Sequence, residues 1–225
     1  MDYASAFGYS NEASGLASSA VGFRNKAASE NASAVGYGNN ANALAASAVG
    51  YNNTAGGVGS STIGYNNTAT NENASAFGYG NTAGGLASSA FGFSNTASGD
   101  NANAFGYNNI ASGSKSNVFG TGNTVSGSSS NAVGTANEVA AENSTAIGNN
   151  NTISSGAENS AALGNNISIS LKDSVALGNN STATAINSVT GNSSYTKWAG
   201  VSDVVGVVSV GSSGATRQIQ NVAAG

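Results

Sequence analysis

The feature that most constrains this chain is a glycine that recurs every 14 residues along most of its length. Ten consecutive intervals have this length, one interval of 16 residues follows, and another of 14 completes thirteen units. A unit this short has no room for two packed helices, but it accommodates two short strands and two turns. The period therefore predicts a solenoid whose successive coils stack as parallel strands about 4.8 Å apart. The glycines are Gly8, Gly22, Gly36, Gly50, Gly64, Gly78, Gly92, Gly106, Gly120, Gly134, Gly148, Gly164 and Gly178.

Two bulky columns flank this glycine. A large apolar residue precedes it in every unit, among them Phe77, Phe91, Phe105, Phe119, Val133 and Ile147. An aromatic residue follows it in the first eight units, at Tyr9, Phe23, Tyr37, Tyr51, Tyr65, Tyr79, Phe93 and Tyr107. A narrow coil favours alanine and glycine inside, so we expect the apolar column to face an axis where subunits meet. The alternative, that these side chains fill the coil, stays open at this stage.

Asparagine stands three residues after the glycine in the first eleven units, beginning Asn11, Asn25, Asn39, Asn53, Asn67, Asn81 and Asn95 and ending at Asn151. Asparagine tolerates left-handed dihedrals, and stacked amides can hydrogen-bond from coil to coil, so the pattern predicts a ladder at a turn. Asn66-Asn67-Thr68 and similar triplets also match glycosylation sequons. The simpler interpretation is that an asparagine ladder beside threonine generates them by chance.

Composition excludes several function classes. The chain has no cysteine and no histidine, which removes disulfides, thiolate metal sites and the commonest general base. We therefore expect no enzymatic activity, no cofactor and no metal. The net charge of −4 argues against a nucleic-acid partner. No apolar run is long enough to span a membrane, and the first residues do not read as a signal peptide, so we expect a fragment of a surface protein.

Periodicity ends after Ala183. We predict a head over residues 1–185, an irregular cap or adaptor over 186–205 that contains Trp198, and a further segment over 206–225. This last segment begins with a valine-rich β-prone run and ends in Arg217-Gln218-Ile219-Gln220-Asn221-Val222-Ala223-Ala224-Gly225.

These residues resemble a known family. Asn143-Ser144-Thr145-Ala146-Ile147-Gly148 and Asp173-Ser174-Val175-Ala176-Leu177-Gly178 are similar to the head repeat of trimeric autotransporter adhesins, the YadA-like family. Val208-Ser209-Val210-Gly211, followed by the Arg217 to Gly225 run, resembles that family's neck. The resemblance implies an all-β, left-handed parallel β-roll, three copies of which form a homotrimer. The neck, with Arg217, Ile219 and Asn221, would lead to a coiled-coil stalk that is absent from this sequence.

The resemblance also implies a function. Such a chain is a non-catalytic bacterial surface adhesin, anchored in the outer membrane by other regions and inserting no segment of its own into the membrane. Its partner would be collagen, fibronectin, laminin or a host receptor such as a CEACAM. Two departures affect this comparison. The 16-residue interval and the Lys172-Asp173 pair indicate an irregular coil near residues 166–172, and serine stands at Ser19, Ser33 and Ser47 where the family often has valine.

Two other classes compete with an adhesin. An ice-binding or purely structural β-solenoid would share the low charge and the abundance of alanine, threonine and asparagine. An ice-binding face needs a regular threonine array, whereas threonine is scattered in this sequence. A hexapeptide-repeat acyltransferase is disfavoured, because its steps of six residues do not recur here and histidine is absent.

Overall fold

A computed structural model describes residues 3–185 and 205–220 as an all-β rod. Within these ranges the chain forms no helix, and hence none that could cross a membrane. Each repeat contributes one longer strand and one of two residues, and the strands of successive coils pair in parallel. The solenoid of 14-residue coils predicted from the glycine period is confirmed. The predicted adaptor falls almost wholly on residues 186–204, which lie outside the described ranges.

Two sheets run the length of the rod. The first sheet contains the fourteen odd-numbered strands and the second the thirteen even-numbered strands, and in each sheet the strands follow one another in chain order. The first sheet comprises β1 Ser5–Tyr9, β3 Ser19–Phe23, β5 Ser33–Tyr37, β7 Ser47–Tyr51, β9 Ser61–Tyr65, β11 Ser75–Tyr79, β13 Ser89–Phe93, β15 Asn103–Tyr107, β17 Asn117–Thr121, β19 Asn131–Thr135, β21 Thr145–Asn149, β23 Ala161–Asn165, β25 Val175–Leu177 and β27 Val208–Ser209. The second comprises β2 Glu12–Ala13, β4 Lys26–Ala27, β6 Asn40–Ala41, β8 Thr54–Ala55, β10 Thr68–Ala69, β12 Thr82–Ala83, β14 Thr96–Ala97, β16 Ile110–Ala111, β18 Thr124–Val125, β20 Glu138–Val139, β22 Thr152–Ile153, β24 Ser168–Ile169 and β26 Thr182–Ala183.

The register places equivalent residues of neighbouring coils side by side. Phe77 pairs with Phe91 and Gly78 with Gly92, and this alignment repeats along the first sheet. A substituent on Gly92 would point at the next coil, because an added Cβ would lie 2.1 Å from the carbonyl oxygen of Gly106. The repeat glycine is therefore required sterically, since only hydrogen fits between adjacent backbones at this spacing.

Small side chains fill the interior. From the second coil onward the residue two before the repeat glycine is buried, and it is alanine, as at Ala76 and Ala90, except at Thr62 and Val118. The residue five after the glycine is buried in the same coils, as at Ala83.

A third buried column, ten residues after the glycine in a 14-residue coil, holds either alanine or serine. From Ser130 to Ser174 its serines form a second ladder, in which the backbone N–H of Ser144 donates to Oγ of Ser130 over 3.0 Å. The sequence pattern did not reveal this column, because alanine is apolar and serine is polar, and the two residues have only their small size in common.

The 16-residue coil is irregular at a different place from the one predicted. Paired residues of β21 and β23 are 16 positions apart in the sequence, and so are those of β22 and β24. The distance from the start of β23 to the start of β24 is 7 residues, as in the regular coils. The two extra residues therefore lie in the turn between β22 and β23, over residues 154–160, and the expected irregularity at 166–172 is wrong. A turn absorbs an insertion at low cost because it leaves both ladders in register.

The left-handed dihedrals also fall elsewhere than expected. The ladder asparagines are absent from the non-glycine residues with positive φ, which instead occupy two corners of each coil. The first corner is two residues after the repeat glycine, as at Asn66 with φ of 55°, and the second is nine residues after it, as at Asn73 with φ of 57°. Glycine takes the same dihedral at Gly80 and Gly59, consistent with the low cost of this conformation for glycine and asparagine.

The last coil is covered by the C-terminal segment. β27 pairs in parallel with β25, with Val208 opposite Val175 and Ser209 opposite Ala176. The N–H of Val207 donates to Oγ of Ser174 over 3.1 Å, which continues the serine ladder by one step. Residues 207–211 thus act as a partial fourteenth coil.

Candidate interaction surfaces

The outer face of the first sheet carries the bulky columns. Side chains alternate along each five-residue strand, so the alanine points inward while the residues on either side of it point outward. In the isolated chain Ile63 and Phe119 are each 45 % exposed, and Phe77, Phe91 and Phe105 are half-buried. The alternative that the apolar column fills the coil is therefore wrong, because alanine and asparagine occupy the interior.

The rings on this face form two stacks. In the aromatic column, which follows the repeat glycine, consecutive ring centroids from Tyr9 to Tyr107 lie 4.7 to 5.2 Å apart, with interplanar angles of at most 14°. In the apolar column, the rings from Phe77 to Phe119 are 4.7 to 5.0 Å apart. Strand spacing imposes this near-parallel stacking. Eight coils thus present a continuous apolar strip of two columns, larger than a single soluble chain normally leaves exposed.

A polar column borders this strip. It lies three residues before the repeat glycine and is serine in the first seven coils, including Ser19, Ser33 and Ser47, which are half-buried on the outer face. Farther along, Nδ2 of Asn103 donates to Oδ1 of Asn117 over 2.7 Å, and Asn117 continues the chain to Asn131 over 2.9 Å. The departure from valine noted in the sequence therefore makes one margin of this face polar.

The predicted asparagine ladder lies inside the turn. Oδ1 of Asn67 accepts from both the backbone N–H and Nδ2 of Asn81, each over 3.0 Å. Nδ2 of Asn81 also donates to the carbonyl oxygens of Phe77 at 2.9 Å and Gly92 at 2.7 Å. The same bonds recur from Asn11 to Asn151, and from Asn25 onward each of these side chains is buried. Because each amide satisfies backbone groups on two coils, the ladder fastens adjacent coils together.

Two of the predicted neck residues fall within the described ranges. The guanidinium of Arg217 donates from Nη1 to the carbonyl oxygen of Val210 at 2.7 Å and to Oγ of Ser181 at 3.1 Å, and from Nη2 to the carbonyl oxygen of Asn179. It lies against Gly178, where an added Cβ would be 3.3 Å from its Cζ. Arg217 therefore occupies the place that the next coil would fill. Ile219 is 70 % exposed, and Asn221 lies outside the described ranges.

Sequence analysis missed an exposed column on the second corner. This edge column, eight residues after the repeat glycine in a 14-residue coil, carries four aliphatic side chains that are 44 to 48 % exposed, and acidic residues stand in five other coils. The aliphatic members are Leu16, Leu44, Val58 and Leu86, and the acidic members are Glu30, Glu72, Asp100, Glu142 and Glu158. No single residue type marks this column, which is why the period alone did not reveal it.

The second sheet presents a threonine column. Its outward position is threonine in seven coils, at Thr54, Thr68, Thr82, Thr96, Thr124, Thr152 and Thr182. The statement that threonine is scattered is therefore wrong for this face. The parallel column two residues along is mixed, with Ala28, Asn42, Gly56, Thr70 and Ser98 as examples, so a Thr-x-Thr array does not form.

Acidic side chains do not gather into a metal site within the described ranges. No three histidine, cysteine, aspartate or glutamate residues come together there. One ion pair occurs among these residues, between Lys26 and Glu12 at 3.1 Å, and both side chains are about half exposed. An exposed pair of this kind contributes little stability.

The fold and these surfaces define a class of protein, a repeat β-solenoid with an exposed apolar face. The chain belongs to the family of the YadA head domain repeat, whose family description matches residues 1–25, 55–81, 83–109, 126–151 and 172–189. The family is a structural adhesin fold, generally non-catalytic, whose heads form trimers and are exposed on the cell surface as part of autotransporter adhesins. A search among curated proteins finds no match to the chain.

Proposed function

We propose that this chain is the non-catalytic head of a homotrimeric bacterial adhesin that attaches the cell to a host matrix protein or cell-surface receptor. The observation that carries the proposal is the pairing of the family match with an apolar strip on one face of a rigid rod. The head would extend over residues 1–185 and the neck over 206–225. The protein would be exposed on the bacterial surface and anchored in the outer membrane.

The apolar and aromatic columns are the proposed trimer surface. They repeat with every coil, so three parallel rods related by a threefold axis would bring identical rings to equal heights. Burial of one such side chain stabilises assembly by about 2–3 kcal/mol per subunit. The column from Phe77 to Ile147 would lie nearest the axis, and the polar column that includes Ser33 would lie along a hydrated margin.

The edge column and the second sheet are the proposed receptor surface. With the first sheet turned toward the axis, the edge column and the threonine column would remain accessible along the rod. Exposed aliphatic side chains such as Leu44 and Leu86 supply contact area, and the neighbouring carboxylates would favour a basic stretch of the partner. Three copies would raise avidity without any additional contact.

Two measurements on the full chain test this proposal. Light scattering gives the oligomeric state, and binding is measured against immobilised collagen, fibronectin, laminin and the ectodomain of a CEACAM. The double variant Leu44→Ser with Leu86→Ser should keep the trimer and lose at least tenfold in binding, while Ser114→Ala in the same column should behave as wild type. A monomer at micromolar concentration would refute the trimer, and a trimer that binds none of the four partners would refute this form of attachment.

The threonine column favours a second candidate, an ice-binding solenoid. Regular hydroxyls on a flat sheet are its requirement, and seven coils meet it in one column. The mixed neighbouring column weakens this candidate, because a single column gives contact in only one direction. A thermal hysteresis assay separates the two: a purified head that arrests ice growth would support the ice-binding function.

A further inference from the structure

Asparagines at the corners of the coils begin N-glycosylation sequons, whereas those of the asparagine ladder do not. Within the described ranges nine asparagines begin a sequon, Asn-x-Ser or Asn-x-Thr, and eight of them are corner residues with positive φ. The ladder residue itself is not an acceptor, because Asn67 is followed by Thr68 and Ala69. A ladder beside threonine therefore does not generate the motif; an asparagine at the corner is also required. The eight are Asn31, Asn52, Asn66, Asn73, Asn143, Asn150, Asn166 and Asn180.

Every one of these eight sequons has the same exposure pattern. The acceptor asparagine is exposed, the middle residue is buried, and the hydroxyl residue is half-buried or exposed, as in Asn66, Asn67 and Thr68. The middle residue anchors the corner to the core, so the acceptor amide projects away from the coil. A substituent on that amide would enter solvent and disturb neither ladder.

Asn66 lies beside an open corner of the next coil. Nδ2 of Asn52 donates to Oδ1 of Asn66 over 3.0 Å, so this bond uses the amide oxygen of Asn66 and not its nitrogen. In the following coil the same corner is Gly80, which has no side chain to cover it. A residue built at Gly80 would have its Cβ 3.6 Å from Oγ of Ser94 and would meet no nearer neighbour, so the space beside Asn66 is open.

We propose that the corner sequons, with Asn66 foremost, are sites of N-glycosylation. The donor is a glycosyl pyrophosphate, either a nucleotide-activated sugar or a polyprenyl-linked oligosaccharide. Nδ2 of Asn66 attacks the anomeric carbon, an N–C bond forms, and the C–O bond to the pyrophosphate breaks. The nucleoside or polyprenyl diphosphate leaves, and the amide nitrogen gives one proton to the transferase or to solvent. Thr68 supplies the hydroxyl by which a transferase recognises the triplet.

The chain contains matched controls for this proposal. Asn66→Gly removes the acceptor and keeps the backbone, because Gly80 adopts φ of 63° at the same corner one coil along. Thr68→Val removes the hydroxyl at constant shape. Thr82→Val makes the identical change in the adjacent strand, where Gly80 stands in place of the acceptor, so it should alter no modification. Thr68→Ser restores the hydroxyl and should restore the modification.

The experiment is peptide mapping by mass spectrometry on the full chain, purified from the surface of the bacterium that makes it. We expect the peptide containing Asn66 to carry whole sugar residues in wild type, Thr82→Val and Thr68→Ser, and to be unmodified in Asn66→Gly and Thr68→Val. A single hexose indicates a nucleotide-sugar donor and a larger oligosaccharide a lipid-linked one. An unmodified Asn66 in the wild-type chain would overturn the proposal, and so would a modification that persists in Thr68→Val. Circular dichroism of each variant shows whether the rod is intact.

Discussion

Replacing Gly92 by valine should destabilise the rod severely, because the glycine lies where two backbones touch. An added Cβ would be 2.1 Å from the carbonyl oxygen of Gly106, more than 1 Å closer than ordinary van der Waals contact, and φ is 115°. Backbone strain costs about 1–3 kcal/mol and overpacking about as much again. Separation of the coils would also weaken the bond of 2.8 Å from Nδ2 of Asn95 to Gly106, worth about 1 kcal/mol. The expected loss is roughly 3–7 kcal/mol per chain.

Gly122→Asn is the control for this change. Gly122 also has positive φ, at 63°, but nothing lies within 4 Å of an added Cβ, and Asn108 and Asn150 occupy the same corner in their own coils. It should stay within about 0.5 kcal/mol of wild type. Thermal and urea unfolding followed by circular dichroism measure both variants. A Gly92→Val chain that melts with wild type would show that the coils are not held at the spacing seen here.

Three further changes have distinct expected outcomes. Phe91→Asp should abolish the trimer and keep the β structure, because its side chain lies outside the coil; light scattering with circular dichroism checks this, and loss of β structure would contradict it. Asn81→Val leaves buried groups of both neighbouring coils without partners and should cost about 3–5 kcal/mol in urea unfolding, whereas a cost below about 1 kcal/mol would show that the ladder is dispensable. Arg217→Ala frees the carbonyl oxygens of Asn179 and Val210, so amide exchange should accelerate in β26 while that in β12 is unchanged; equal acceleration in both would argue against a local cap.

The sequence predicts those parts of the fold in which a position accepts only one residue type for steric or hydrogen-bonding reasons. Only glycine fits beside Gly106, and a short amide satisfies the groups around Asn81. The glycine column is therefore uniform and the asparagine column is unbroken over eleven units, so both are easily recognised in the sequence. The parallel pairing follows from their period. The inward position of alanine and the outward position of Phe91 follow from strand alternation together with the narrowness of the coil.

The parts that were missed are those in which several residue types are equivalent. The first corner accepts Asn66, Gly80, Ser94 and even Arg24, because any of them can adopt a positive φ at modest cost when the rest of the coil imposes it. The insertion was misplaced because the glycine period shows that two residues are added but does not show in which turn. Strand pairing was needed to locate it between β22 and β23.

The distribution of variable columns has a consequence for how such a rod can acquire new partners. Its stability is a sum of contacts between adjacent coils, and these come from the glycine, alanine, asparagine and serine columns together with the strand hydrogen bonds. The corners and the edge column contribute few side-chain bonds between coils, and they hold most of the variation, from Leu86 through Asp100 to Ser114 in three successive coils. A substitution in these columns changes the surface of one coil and leaves its contacts and hydrogen bonds with the two neighbouring coils in place. The coil is therefore a unit whose surface chemistry can change while the spacing of the rod, and with it the register of the proposed trimer, stays constant.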